Sequence, residues 1–132
     1  MDDCIFCKIG RGEAPSYKVY EDEHALAFLD IHPLSKGHTM VIPKMHGGTI
    51  LDLPEEEVAH LFRAVQKTTA RVRDVIKPEG FTLGVNHEIG QDVPHLHVHI
   101  IPRWNNDGGS NIHGIIHAGS DMPVEEVVKL FA

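Results

Sequence analysis

Basic residues are scarce in this chain: 12 lysines and arginines stand against 19 aspartates and glutamates, a formal charge of -7. That balance argues against a nucleic-acid backbone or an anionic membrane as the main partner. A small phosphate ligand stays open, because it needs only local donors. Long hydrophobic runs are missing too. No stretch approaches the ~20 apolar residues of a membrane span. The acidic start, Met1-Asp2-Asp3-Cys4, lacks the pattern of a secretory leader, so a cytoplasmic location is expected. Two cysteines cannot build a disulfide framework. In a cytosolic setting their Cys4-x-x-Cys7 spacing points to metal or redox work. No repeat and no linker interrupts the chain, and its 132 residues suit one domain, 1–132, with a real core.

What is present reads as an α+β chain. Strands are expected at Lys18-Val19-Tyr20, His24 to Asp30 and His38 to Pro43, with a Pro/Gly connector, His32 to Gly37, between the last two. A long helix follows. Val58, Leu61, Phe62, Val65, Val72, Val75 and Ile76 keep a helical rhythm. Pro54 and the glutamates at 55 to 57 suit its first turn, and Pro78-Glu79-Gly80 ends it. Phe81 to Asn86 reads as a strand, and a loop at 87–94 leads into another. Asn105 to Asn111, polar and glycine-rich, reads as mobile. Pro123 to Phe131 reads as a short terminal helix with Val124, Val127, Val128 and Phe131 on one side. Strands joined by short turns, with one long helix covering a face, give the architecture.

The last strand carries the densest chemistry. His95, His97 and His99 alternate with Leu96, Val98 and Ile100. A period of two places all three imidazoles on one strand face, ~7 Å apart. Imidazole is the side chain whose charge changes near neutral pH, so a row of three repels itself when protonated. Three readings fit: a polar strand face, a metal site, or catalysis by an imidazole nucleophile. The preceding loop, Gly90-Gln91-Asp92, favours the last. Its glycine lets backbone N–H groups approach an anion, and Gln91 adds an amide donor. Cys4 and Cys7 are open between small buried hydrophobes, a redox dithiol and half of a structural zinc site.

The run His95-Leu96-His97-Val98-His99-Ile100-Ile101 resembles the signature of the histidine triad (HIT) superfamily of nucleotide hydrolases and transferases. The resemblance extends through Cys4 to Ile9, Leu26 to Ile31, Gly37 to Lys44, Asn86 and the Gly90-Gln91 loop, in family order. It implies a five-stranded antiparallel sheet with one long helix and a short C-terminal helix, and sheets joined in a homodimer. It implies that His97 attacks the α-phosphate of a nucleotide to form a nucleotidyl-histidine, which water then hydrolyses. The carbonyl of His95 is expected to fix the tautomer of His97, while His99 and Gln91 hold phosphoryl oxygens. Asp30 matches the ribose-binding carboxylate, and Ile5, Phe6, Phe28 and Ile31 match the slot around the base. Asn86, Gly90 and Asp92 complete the expected nucleotide contacts. His38 matches a histidine that hydrogen-bonds within the site.

The resemblance also implies a structural zinc on Cys4, Cys7, His46 and His95, with no catalytic metal. The expected ligand is a purine nucleoside phosphate such as an AMP derivative, a phosphoramidate or a dinucleoside polyphosphate. The remaining histidines, His24, His32, His60, His87, His113 and His117, are expected at the surface. Asp92 departs from the pattern, since many relatives place Ser or Thr there. An ionised carboxylate only accepts hydrogen bonds and repels phosphate.

Overall fold

A computed structural model describes residues 3–132; Met1 and Asp2, part of the acidic start, lie outside the described residues. The order is α1 (Ile5–Gly10), β1 (Lys18–Glu21), β2 (Ala25–Leu29), β3 (Thr39–Pro43), α2 (Glu55–Ile76), β4 (Gly80–Gly84), β5 (Val98–Arg103) and α3 (Val124–Val127). The strands form one antiparallel sheet in the order β1-β2-β3-β5-β4. The five-stranded sheet, the long helix and the short terminal helix match the expected α+β fold. No helix is long and apolar enough to cross a membrane.

Strand register sorts the side chains into two layers. Ala27 sits opposite Val41, which sits opposite Val98; one step along, Phe28 sits opposite Met40, which sits opposite His99. One sheet face therefore carries Ala25, Ala27, Val41, Val98 and Ile100, packed with Leu61, Ala64 and Val65 of α2. The two alanines leave room for a helix to lie close. The other face carries Leu26, Phe28, Met40 and Ile42, packed with Phe6 of α1. The candidate site lies on this second face.

The long helix follows its expected bounds closely. Glu55, Glu56 and Glu57 occupy its first turn, where the dipole favours negative charge. Lys77 closes it in the left-handed region, φ 56°, with its N–H donating to the Arg73 carbonyl. Two expected core residues face outward instead: Phe62 and Val75 are exposed, while Ala64 and Thr68 take buried places. Thr68 can be buried because its volume matches a valine, yet its hydroxyl has no hydrogen-bond partner among the described residues.

Three other expectations change. The triple-histidine strand is shorter than its alternation suggests: pairing starts at Val98, so His95 and His97 lie in the approach to β5. Their backbone bonds elsewhere. Leu96 N–H donates to the Gly47 carbonyl, and His95 N–H to the Val93 carbonyl. Residues 105–110 form a bonded turn rather than a free loop. Arg103 binds both carboxylate oxygens of Asp107, plus the Thr82 hydroxyl and the Ser110 carbonyl, and Asn105 is held by Glu79. The terminal helix is a single α-turn continued by a 3-10 turn, Val128–Phe131, and Val124, Val128 and Phe131 are exposed.

Candidate functional site: a split histidine row

The three triad imidazoles direct their nitrogens to three different places. His95 is fully buried. Its Nε2–H donates to the Pro43 carbonyl at 2.8 Å, which leaves a lone pair on Nδ1. That Nδ1 lies 3.4 Å from Cys4 Sγ, 3.5 Å from Cys7 Sγ and 3.2 Å from His46 Nδ1. Cys7 Sγ is 3.2 Å from His46 Nδ1. A tetrahedral zinc with bonds of about 2.0–2.3 Å keeps its donor atoms about 3.3–3.8 Å apart. The group of two sulfurs and two imidazoles therefore fits a closed, borderline-soft metal centre. The ring N–H of His95 on a carbonyl is the usual second contact of a metal-binding histidine. Burial, then the neighbouring Cys4, pushes the Cys7 thiol above its ordinary value, so without a cation this sulfur stays protonated.

His97 faces away from that centre. Its Nδ1–H donates to the His95 carbonyl at 2.7 Å. A carbonyl can only accept, so the neutral ring keeps its lone pair on Nε2. The Phe6 ring stands edge-on to His97 at 5.1 Å and to His95 at 5.9 Å. One aromatic wall thus touches both histidines from the same side of the sheet.

His99 is wired in the opposite sense. The Leu34 N–H donates to His38 Nδ1 at 3.0 Å, which places the His38 proton on Nε2. His38 Nε2–H then donates to His99 Nδ1 at 2.9 Å. His99 is left with its proton on Nε2. The His97 and His99 rings are 5.1 Å apart. Two neighbouring rings therefore present a lone pair and a proton.

Burial holds His38 below the ordinary histidine range, against the pull of Asp30. Burial also lowers His99, reinforced by His97 and His38 and opposed by Asp30 and Asp92. Both rings are neutral at neutral pH. Asp30, His38 and His99 also bring ligating atoms together. The Leu34 N–H occupies His38 Nδ1 and the His38 Nε2–H is given to His99, so His38 offers no free lone pair in the neutral protein, and Asp30 stands beside the pair at 3.6 Å, beyond hydrogen-bond reach.

The other expected site residues surround these rings unequally. Asp30 Oδ1 accepts from the His32 N–H at 2.8 Å, and Oδ2 lies 3.6 Å from His38 Nε2. Phe6 and Phe28 are buried in the core of this face, while Ile5 and Ile31 are exposed at its edge. Gly90 adopts φ 77°, a conformation that side chains strain to reach, and Asn86 packs against it. Gln91 is anchored at both ends of its amide. It donates to the Gly48 carbonyl at 2.6 Å and accepts from the Glu88 N–H at 3.0 Å. Asp92 is exposed, and its charge reaches His99.

Sequence reasoning missed the Pro43 carbonyl and the Leu34 N–H, which set the tautomers of His95 and His38, and the Gly48 carbonyl, which anchors Gln91. The Gly47-Gly48 pair after His46 was the available signal. Glycines there let the chain run close to Leu53 and Asp52. His32, His87, His113 and His117 are exposed as expected. His24 and His60 instead form a half-buried stack, ring centroids 3.7 Å apart.

The chain is similar to known proteins over most of its length. A family model described as the HIT domain matches residues 11–106. The hit protein of Bacillus subtilis is 47% identical over 124 residues, 92% of this chain and 86% of that protein. An adenosine 5'-monophosphoramidase of Schizosaccharomyces pombe is 41% identical over 111 residues, 83% of this chain and 80% of that protein. The crystal structure of a HIT family protein from Bacillus anthracis superimposes with a TM-score of 0.84 at 40% identity, covering 98% of this chain and 93% of that one.

Proposed function

This chain belongs to the HIT family, and we propose that it is a hydrolase of adenosine nucleotide derivatives that works through a nucleotidyl intermediate on His97. The observation that carries the reading is the opposed wiring of His97 and His99. His97 Nε2 donates its lone pair to the α-phosphorus, a P–N bond forms, and the bond to the leaving group breaks. Water then attacks the same phosphorus from the side the leaving group vacated, and the P–N bond breaks. Two in-line displacements give net retention. His99 Nε2–H stabilises charge on a phosphoryl oxygen. His38 holds His99 in place rather than conducting protons, because the Leu34 N–H blocks reprotonation at His38 Nδ1.

Asp30 accepts from the ribose hydroxyls, and a second amide hydrogen of Gln91 is available to phosphate. The apolar slot uses the edges of Phe6, Phe28 and Ile31, with Asn86 and Gly90 shaping the loop beyond. The phosphoramidase relative supports an adenosine ligand with an amine leaving group. Exposed Asp92 supports the same choice, since a carboxylate repels a polyphosphate and attracts a cationic amine. Cys4, Cys7, His46 and His95 would hold a structural zinc in this reading, which would steady the residue whose carbonyl sets the His97 tautomer. A homodimer is supported by the edge strand β4 and by a groove of about 470 Å³ beside it, where Phe62, Val65, Ala70 and Leu83 form the apolar lining and Gln66 and Arg73 the polar part.

The test is trapping. Acid quench during turnover of an adenosine phosphoramidate should recover protein carrying an acid-labile nucleotidyl group, absent in His97→Ala. Turnover without that adduct, or equal turnover by His97→Ala, contradicts the proposal. A mass of one chain by light scattering contradicts the dimer.

A further inference from the structure

Cys4 is the N-cap of α1 and Cys7 its third residue. Residues so placed stand about 5–6 Å apart at Cα, inside the span that a disulfide bridges. Both sulfurs belong to one cluster whose donor atoms all lie within 4.8 Å of one another, and the Cys7 N–H points at Cys4 Sγ. Their access differs: Cys4 is partly exposed and Cys7 is buried. Between them in the chain is Phe6, whose ring rests against His97. Across the cluster is His95, which lends its Nδ1 to the sulfurs and its carbonyl to His97. The nucleophile is thus held from two sides by groups that the cysteine pair positions.

The geometry points to Cys4–Cys7 as a reversible oxidation site whose closure into a disulfide disarms His97. The inference rests on His97 being the nucleophile and on the cluster holding zinc. The oxidant is hydrogen peroxide. The accessible Cys4 thiolate attacks one peroxide oxygen, the O–O bond breaks, and the departing oxygen takes up a proton and leaves as water. Cys4 is then a sulfenic acid. The Cys7 thiolate attacks its sulfur, the S–O bond breaks, and hydroxide leaves and takes up a proton as a second water. Each sulfur has given up one electron, and the peroxide has gained two.

The cluster then falls from four donors to two imidazoles and loses both negative charges. A divalent cation leaves such a remnant. Closing the bond also draws in the first turn of α1, which carries Phe6. His95 loses its partners at Nδ1, so the residue whose carbonyl holds His97 is no longer pinned on that side. Both supports of the nucleophile shift together.

Zinc-loaded protein titrated with hydrogen peroxide tests this. The expected result is a mass loss of about 2 Da per chain, one zinc released to a chromogenic chelator per disulfide, and restoration by dithiothreitol with zinc. Nucleotidylation of His97 should fall about tenfold or more, the scale for losing a second contact in a metal site. The nitrogen-15 shifts of the His97 ring should move in step. Cys7→Ser should stop at a sulfenic acid on Cys4 that dimedone traps; if that variant fails to fold, the wild-type mass and zinc measurements decide alone. Oxygen added to the cysteines without a disulfide overturns the oxidation site. A disulfide that leaves His97 shifts and nucleotidylation unchanged overturns the coupling. Failure of the reduced protein to form the nucleotidyl adduct tells instead against His97 as the nucleophile. Reduced protein that neither carries nor takes up zinc removes the metal on which the inference rests and overturns the release step.

Discussion

The two faces of the sheet solve opposite problems. The helix-covered face buries a mainly apolar set, Ala25, Ala27, Val41, Val98 and Ile100 against Leu61, Ala64 and Val65, with the small hydroxyls of Thr39 and Thr68 as its buried polar groups. Its stability comes from excluded water and close packing. The histidine face buries His38, His95 and His97 beside Phe6, Phe28 and Met40. Each of those rings has a partner for at least one nitrogen, and most partners are backbone groups. An unpartnered buried polar atom costs about 1–3 kcal/mol. The second face can therefore carry polar chemistry only because irregular segments at 34, 43–48 and 93–97 bring donors and acceptors to it. One face fixes the frame, and the other holds reactive groups in chosen protonation states.

That contrast can be broken from either side. The largest effect belongs to the packed face. Leu61→Ala should cost about 2–5 kcal/mol in chemical denaturation, since a buried leucine leaves a cavity. Turnover per folded molecule should stay as in the parent. A loss of turnover in folded Leu61→Ala would show that the faces are coupled.

On the other face, His38→Ala should lower turnover by about one to two orders of magnitude, the kinetic equivalent of one lost buried hydrogen bond. His99 is then free to place its proton on either nitrogen. Unchanged kcat would remove His38 from the account.

Acidification should separate the faces more gently. His38 and His99 titrate below the ordinary histidine value when folded. The unfolded chain therefore takes up protons first. Their contribution is complete above about pH 6.5 and is lost as pH falls through the folded values. Melting temperature should drop from pH 7 to pH 5, with the same slope in Leu61→Ala and a shallower one in His38→Ala. A pH-independent melting temperature would contradict the neutral pair.

The smallest change is a gain. Thr68→Val removes the one unpartnered buried side-chain atom found among the described residues, at a helix position facing the sheet. Stability should rise by about 1 kcal/mol with activity unchanged. A destabilised Thr68→Val would mean that the hydroxyl has a partner.

The sequence made the frame legible and the site legible in part. Alternating and helical apolar patterns are local, so the strands, the long helix and its Lys77-Pro78 end could be read within a residue or two. Cys4-x-x-Cys7 and the histidine row are also local. The extent of the triad strand was not, because its pairing depends on where β3 ends at Pro43 and on Gly47 accepting from Leu96. Partners such as the Pro43 carbonyl and the Leu34 N–H were invisible, since every residue type offers the same backbone groups. Gln91 shows the limit clearly. Its side chain announces an amide, but its anchoring to Gly48 and Glu88 comes from the fold.

The central claim is that neighbouring histidines are held in opposite tautomers. Long-range proton–nitrogen correlation spectra of the histidine rings at pH 7.5 read this directly. His97 should carry its proton on Nδ1 and His99 its proton on Nε2. The same tautomer on both rings, or the reverse assignment, would contradict it.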